Sequence, residues 1–117
     1  MPAHPTTPEA TRSIGRSDEK GPTAIELLDL LGDEYTRRVY EAVAEQPLIG
    51  RAVAEAADVS RATAYRRLND LREAGLVRTE MVISEDGHHR ERFEAVAGSV
   101  SVSIDDGGIE AMVSVDT

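Results

Sequence analysis

Hydrophobic and polar positions divide the chain into a helical half followed by two β-hairpins. From residue 23 to residue 74, apolar side chains recur every three or four positions, as in amphipathic helices. From residue 76 to residue 115, apolar and polar side chains alternate, as in half-buried strands. The pattern therefore predicts an α+β fold, with hairpins over residues 76–96 and 99–115.

Capping residues and glycines mark the ends of the predicted helices. Thr23, Asp33 and Ser60 are placed to cap helices, and Gly32 and Gly75 are placed to end them. The predicted helices cover about 24–31, 34–46, 51–57 and 61–74.

Residues 1–22 differ in composition from the rest of the chain. They hold four of the five prolines and almost no apolar side chains, so they cannot bury enough surface to offset the entropy of ordering. We expect a disordered tail there, and no secretory signal, because the apolar run of a signal is missing. The sequence also has no stretch of about 18 apolar residues, so we expect no membrane span.

The segment from Arg51 to Leu68 has the features of a helix-turn-helix. Two short helices joined by a few residues cross steeply, and only small side chains let them approach. Val59 is placed at the corner, and the close contacts fall on alanines, namely Ala52, Ala56, Ala57 and Ala64. The second of the two helices then turns one face to the core and the opposite face to solvent.

This exposed face is basic, although the protein is acidic. Residues 60–72 hold Arg61, Arg66, Arg67 and Arg72 against Asp70 alone, whereas the whole chain has 22 acidic and 13 basic residues and a net charge of -9. Such a face is typical of a recognition helix, which meets base edges in the major groove while its arginines meet phosphates. The alternative interpretation is the solvated face of an ordinary helical hairpin.

Two stretches carry a family resemblance: Val59–Leu68, and Leu71–Val77 with the sequence Leu-Arg-Glu-Ala-Gly-Leu-Val. They resemble the winged helix-turn-helix transcription regulators of the ArsR-like group, and more closely their small archaeal relatives from halophiles. The resemblance covers residues 24–97, and it implies a homodimer that binds a short, roughly palindromic operator in double-stranded DNA. The chain has no cysteine, so the thiolate sensor of the metal-sensing members is not carried over, and the second hairpin is not required by that group.

The first hairpin is then the wing. Glu85 and Asp86 at its turn repel phosphate, so we expect a weak wing contact, made by Arg90 of the return strand. The predicted domains are a tail over 1–22, a winged helix-turn-helix DNA-binding domain over 23–97 and a C-terminal hairpin extension over 98–117. The predicted DNA contacts are Ser60, Arg61, Ala62, Thr63, Tyr65, Arg66, Asn69, Arg72 and Arg90.

Catalytic and metal chemistry find little support in the sequence. His88 and His89 are neighbours on a strand, so they point to opposite faces and cannot easily share one ion. We find no phosphate-binding glycine loop and no nucleophile beside a base. We therefore expect no enzyme activity, no metal and no cofactor, and the absence of cysteine makes a cytoplasmic protein the default expectation.

Two functions stay open. The first is a repressor-like transcription regulator, and the second is a winged-helix module that binds proteins in a larger complex without touching DNA. A protein-docking face should be apolar, whereas Arg61, Arg66 and Arg72 make this face basic; Ala62 and Glu73 keep the second function open.

The remaining surface raises three further expectations. Strong acidity with a single lysine is typical of salt-loving organisms, although an acidic protein from an ordinary organism is the alternative. The first helix, with Leu27, Leu28, Leu30 and Leu31, is apolar on too many sides for one small core, so it predicts a dimer interface. A lone hairpin is marginal in water, so the second hairpin must cover the wing sheet, a second subunit or the domain's own core.

Overall fold

The computed structural model describes residues 11–14, 23–96 and 98–115. Its helices are α1 (Ala24–Gly32), α2 (Glu34–Glu45), α3 (Gly50–Ala57) and α4 (Arg61–Glu73). Its strands are β1 (Thr11–Ile14), β2 (Leu48–Ile49), β3 (Val77–Ile83), β4 (His89–Ala95), β5 (Gly98–Asp105) and β6 (Gly108–Val115). The predicted α+β class, with helices first and two hairpins after them, is confirmed.

Side-chain caps begin α1 and α2 where the sequence predicts them. Thr23 accepts a hydrogen bond from the backbone N–H of Glu26 at 3.1 Å, and the Glu26 carboxylate accepts one from the N–H of Thr23 at 2.9 Å. Asp33 accepts from the N–H of Thr36 at 2.9 Å, and this bond holds the pKa of the Asp33 carboxyl below its usual value. The caps satisfy N–H groups that the first helical turn leaves unpaired, so they fix where both helices begin.

One hydrophobic core joins the helices to the first sheet. Val39 of α2, Val53 of α3 and Leu68 of α4 have no solvent exposure. Phe93 of β4 closes the same core from the sheet side. The buried side of α4 is the one that its periodicity predicts, so the core determines which face of α4 is turned outward.

The first sheet has the antiparallel order β2-β4-β3. β4 pairs with β3 from Val77 opposite Ala95 to Ile83 opposite His89. β2 pairs Leu48 with Phe93, and the sequence analysis missed it because two residues are too few to show an alternating pattern. A helix-turn-helix followed by this sheet is the arrangement of a winged helix.

The second sheet has the antiparallel order β1-β6-β5. Ala111 and Val113 of β6 are buried in the core, and β6 packs against α1. The second hairpin therefore closes the protein's own core, which is one of the three alternatives that its pattern left open. Its far end extends beyond that contact, since the side chain of Ile104 is 78% exposed.

Strand β1 corrects the predicted disordered tail. Residues Thr11–Ile14 pair with β6, from Thr11 opposite Ser114 to Ile14 opposite Ala111. Once β6 has paired with β5, its other edge offers unpaired backbone groups, and hydrogen bonds along an edge require no apolar side chains. Composition therefore gave no signal for β1. The rest of the predicted tail, residues 1–10 and 15–22, lies outside the described residues.

Candidate nucleic-acid interface

A tight turn sets the angle between α3 and α4. Asp58 has a left-handed backbone with φ of 59°, a conformation that aspartate tolerates better than most residues. Val59 donates its N–H to the carbonyl of Ala54 at 3.0 Å. Ser60 then caps α4 by accepting from the N–H of Thr63 at 3.1 Å, as predicted. Of the alanines that the sequence analysis named, Ala57 and Ala64 are buried, whereas Ala52 is half-buried and Ala56 is exposed.

The outer side of α4 presents most of the predicted contact residues to solvent. Ala64, Leu68 and Leu71 on the inner side are fully buried. The hydroxyl of Ser60 donates to that of Thr63 at 3.0 Å, so these two residues are engaged in the helix cap and Thr63 is half-buried. The predicted contact residues that are exposed on α4 are Arg61, Ala62, Tyr65, Arg66, Asn69 and Arg72.

Tyr65 is held firmly although 44% of its side chain is exposed. Its ring meets the ring of Phe93 edge to face, with centroids 6.4 Å apart. On the other side, the tip of the ring lies directly over Gly50, where any Cβ would overlap it. The first residue of α3 is therefore glycine because Tyr65 occupies the space, and the start of α3 lies beside the exposed face of α4.

The arginines with described side chains fall into two groups. Those of the first group bond within the protein, to a carboxylate or, for Arg37, to a backbone carbonyl; they are Arg37, Arg38, Arg67, Arg72, Arg78, Arg90 and Arg92. In the part of the chain that the structure describes, Arg51, Arg61 and Arg66 are exposed and form no ion pair. Among the described arginines, those that remain free for a ligand are therefore concentrated at the start of α3 and along α4.

Two further arginines of α4 have structural partners. Arg67 lies 3.3 Å from Asp33, the residue that caps α2. Arg72 donates to Glu91 of β4 at 3.3 Å and to the side-chain oxygen of Asn69 at 3.1 Å. Arg72 therefore joins the recognition helix to the wing, and any phosphate contact that it makes competes with these bonds.

Arg90 does not lie with the other predicted contacts. Glu91 and Phe93 of β4 face α4, and side chains alternate along a strand, so Arg90 faces the opposite side of the sheet. Its guanidinium donates to Asp86 at 3.0 Å. The wing contact by Arg90 stays a prediction that requires this pair to open.

Asp86 organises the tip of the wing. The Ser84 hydroxyl and the backbone N–H of His88 donate to its carboxylate, and these bonds hold the pKa of the Asp86 carboxyl well below its usual range. His88 also places its Nδ1 3.1 Å from the same carboxylate. The tip therefore keeps an ionised acid that is already surrounded by donors of the protein itself.

Arg51 is the candidate contact that the sequence analysis missed. α3 begins without a side-chain cap, so the N–H groups of its first turn are not occupied by a side chain. In a helix-turn-helix the first helix crosses the phosphate backbone, and helix N-termini favour phosphate. The available signal was an arginine at the second position of α3 with no acid in the same turn.

Neither a metal cluster nor a membrane helix is found among the described residues. No group of three histidine, cysteine or carboxylate side chains in these ranges could hold an ion. No helix among them is long and apolar enough to cross a bilayer.

The fold and the exposed face of α4 together define a winged helix-turn-helix protein. Residues 22–80, half of the chain, match the family model described as a helix-turn-helix domain. The chain belongs to this family, and this membership supports a DNA-binding regulator.

Comparison with other proteins agrees on the fold. A solved structure described as a possible transcriptional regulator from Methanosarcina mazei Go1 is similar, with a TM-score of 0.52 at 10% sequence identity. The similarity covers 74% of this chain and 75% of that one, and at this identity it shows a shared fold. None of the curated proteins matches this chain in sequence.

Proposed function

We propose that the protein is a repressor-like transcription regulator that binds a specific site in double-stranded DNA as a homodimer. The observation that carries this proposal is that Arg51, Arg61 and Arg66, which have no ion pair among the described residues, lie together at the start of α3 and along α4. The name of the structural neighbour, the helix-turn-helix family and the resemblance to ArsR-like regulators of halophilic archaea support the same proposal.

The exposed residues of α3 and α4 are expected to make different kinds of contact with DNA. Arg66 lies in the second turn of the helix with no acidic partner among the described residues, so it is free to make a bidentate contact with a guanine. Arg61 lies at the start of α4 and Arg51 at the start of α3, where phosphates of the two groove walls would be within reach. The half-exposed ring of Tyr65 is fixed between these positions and supplies an apolar contact for a thymine methyl.

A protein-binding module without DNA contact is the weaker candidate. Its docking face would have to be apolar at the centre, because charged residues are depleted at the centre of protein interfaces. The centre of the α4 face carries Arg66 and Asn69, both exposed. Phosphate and base edges satisfy these side chains better than an apolar partner does.

The proposed dimer uses the apolar surface of α1 and the neighbouring hairpin. Leu27 is buried in the core, but Ile25 and Leu28 on the same helix are 73% and 41% exposed. β6 packs against α1, and we include the exposed Ile104 and Ile109 of the same hairpin in the proposed interface. A second copy related by a two-fold axis would cover it and would place two α4 helices in successive major grooves, about 34 Å apart.

Light scattering of the full chain at molar salt is expected to give about twice its 12.7 kDa mass. The double variant Ile25→Glu, Leu28→Glu should shift the particle to the monomer mass, because it places charge in the proposed interface. Ile83→Glu is the matched control: Ile83 is 68% exposed but lies on the wing, so this variant should remain a dimer. A wild-type monomer at micromolar concentration would contradict the proposed assembly.

Binding-site selection from random double-stranded DNA at about 2 M KCl tests the function itself. We expect enrichment of a pseudo-palindrome whose half-sites are about 10–10.5 base pairs apart. The triple variant Arg51→Gln, Arg61→Gln, Arg66→Gln should enrich nothing, whereas Arg78→Gln, on the outer face of the wing, should enrich the wild-type site. A folded wild-type protein that leaves the pool unchanged would favour the protein-binding module. Transcription in vitro from a promoter that overlaps the selected site should fall when the protein is added.

A further inference from the structure

A small cavity lies where the second hairpin meets the helices. It has a volume of about 200 Å³ and is lined mainly by apolar side chains, including Leu31, Tyr40, Leu76, Val96, Val100 and Val113. For comparison, an engineered apolar cavity of about 150 Å³ stays dry and takes up benzene. The space therefore suits a molecule of about one ring.

The lining determines which chemistry fits. Among the described residues no charged side chain lines the cavity, so an ionised ligand would lose its hydration without gaining a partner there. Polar groups come from the half-buried Tyr40, whose hydroxyl donates to the carbonyl of Val96 at 3.3 Å, and from the lining residues Ser99 and Ser114. Burial raises the pKa of Tyr40, so the hydroxyl stays neutral, and its oxygen keeps lone pairs that can accept a hydrogen bond.

The cavity also touches the junction between the recognition helix and the wing. Leu76 donates its N–H to the carbonyl of Leu71 in α4 at 2.9 Å, and its own carbonyl accepts from the N–H of Val96 at 2.9 Å. Leu76 precedes β3 and Val96 follows β4, so both ends of the wing hairpin form part of the cavity wall. A ligand that moves either residue changes how the wing sits relative to α4.

We propose that this cavity binds a small neutral ring compound carrying one hydrogen-bond donor, and that the bound compound acts through Leu76 and Val96 on the junction between α4 and the wing. The donor of the ligand bonds to the Tyr40 oxygen while its ring packs against the valines. Calling this compound an effector rests on the regulatory function proposed above, whereas its binding to the cavity does not.

Phenol is the test compound. The measurement is a set of NMR spectra that correlate the methyl carbons and protons of the full chain at about 2 M KCl. Phenol should cause saturable shifts in the methyl signals of Val96, Val100 and Val113, and in those of Leu71, which lies outside the cavity. Benzoate, which is charged at neutral pH, should cause none. Shifts that grow linearly without saturation, or equal binding of benzoate, would overturn the proposal.

Two variants on one strand locate the site. Val100→Phe fills the cavity and should weaken phenol binding by about tenfold or more, because the bulk of the new ring replaces the ligand. Val102→Phe is the matched control, since Val102 lies on the same face of β5 but is exposed outside the cavity. Circular dichroism confirms that both variants are folded. Equal effects of the two substitutions would show that phenol binds elsewhere.

Tyr40→Phe tests the hydrogen bond with little change in volume. It should weaken phenol binding about three- to tenfold and leave toluene binding unchanged, because only phenol donates to the hydroxyl oxygen. An unchanged ratio of phenol to toluene affinity would overturn the requirement for a donor. None of these measurements involves DNA, so a failure of the cavity proposal is distinguishable from a failure of the proposed DNA binding.

Discussion

Replacing Arg66 with alanine is expected to remove the protein's preference for one base pair in each half of its selected site. Arg66 is exposed in the second turn of α4 and has no acidic partner among the described residues, so its guanidinium is available for two hydrogen bonds to one guanine. Such a contact contributes about 1–3 kcal/mol of discrimination, or roughly 5- to 150-fold in relative affinity. Competition titrations with the selected site and with single-base variants of it measure this loss.

Two control variants separate base contact from charge. Arg78→Ala removes the same charge from the outer face of the wing, where Arg78 pairs with Glu94, and should leave discrimination intact. Arg72→Ala should weaken specific and random DNA about equally, since its partners Glu91 and Asn69 place it at the side of the helix towards the wing. Unchanged discrimination in Arg66→Ala would show that another residue reads the base.

Specific binding is expected to be weak at about 0.1 M KCl and strongest at molar KCl, the reverse of ordinary DNA-binding proteins. The net charge is -9, and exposed acids such as Glu85, Asp105 and Asp106 form the tips of both hairpins. At low salt these acids repel DNA over a long range and also destabilise the fold through mutual repulsion. Near 1 M salt the Debye length is about 3 Å, so the repulsion disappears while the close contacts of the unpaired arginines persist.

Fluorescence anisotropy from about 0.1 M to about 3 M KCl measures this dependence, with circular dichroism on the same samples to separate unfolding from lost binding. The variant Glu41→Gln, Glu45→Gln removes two exposed acids from α2 and should move the optimum to lower salt. A steep, steady loss of affinity with rising salt, in a protein that stays folded, would show that the acidic surface is not an adaptation to salt.

The helical part of the fold was predictable because its signals are local. Thr23, Asp33 and Ser60 act as caps within four residues of the N–H groups that they satisfy, and the buried positions of α4 follow its own periodicity. The wing was predictable for the same reason, since β3 and β4 alternate and are joined by a short turn.

Features that depend on distant parts of the chain were not predictable. β2 and β1 are strands only because β4 and β6 offer them an edge, and neither short segment has a pattern of its own. The availability of an arginine is also non-local: the sequence cannot show that Asp86 engages Arg90 or that Glu91 engages Arg72. Arg51 was missed because it is available for DNA only through the absence of an acidic partner among the described residues.

Which residues are tolerated at position 50 depends on the side chain at position 65. The ring of Tyr65 fills the volume that any side chain at position 50 would need, so position 50 cannot gain a side chain while the ring stays in place. In a diverging lineage, a larger residue at position 50 becomes acceptable once the Tyr65 ring has turned away from α3 or position 65 has become small. Either change would also remove a fixed aromatic group from the exposed face of α4. A substitution of Gly50 would therefore also change which DNA sites the descendants of this protein can bind.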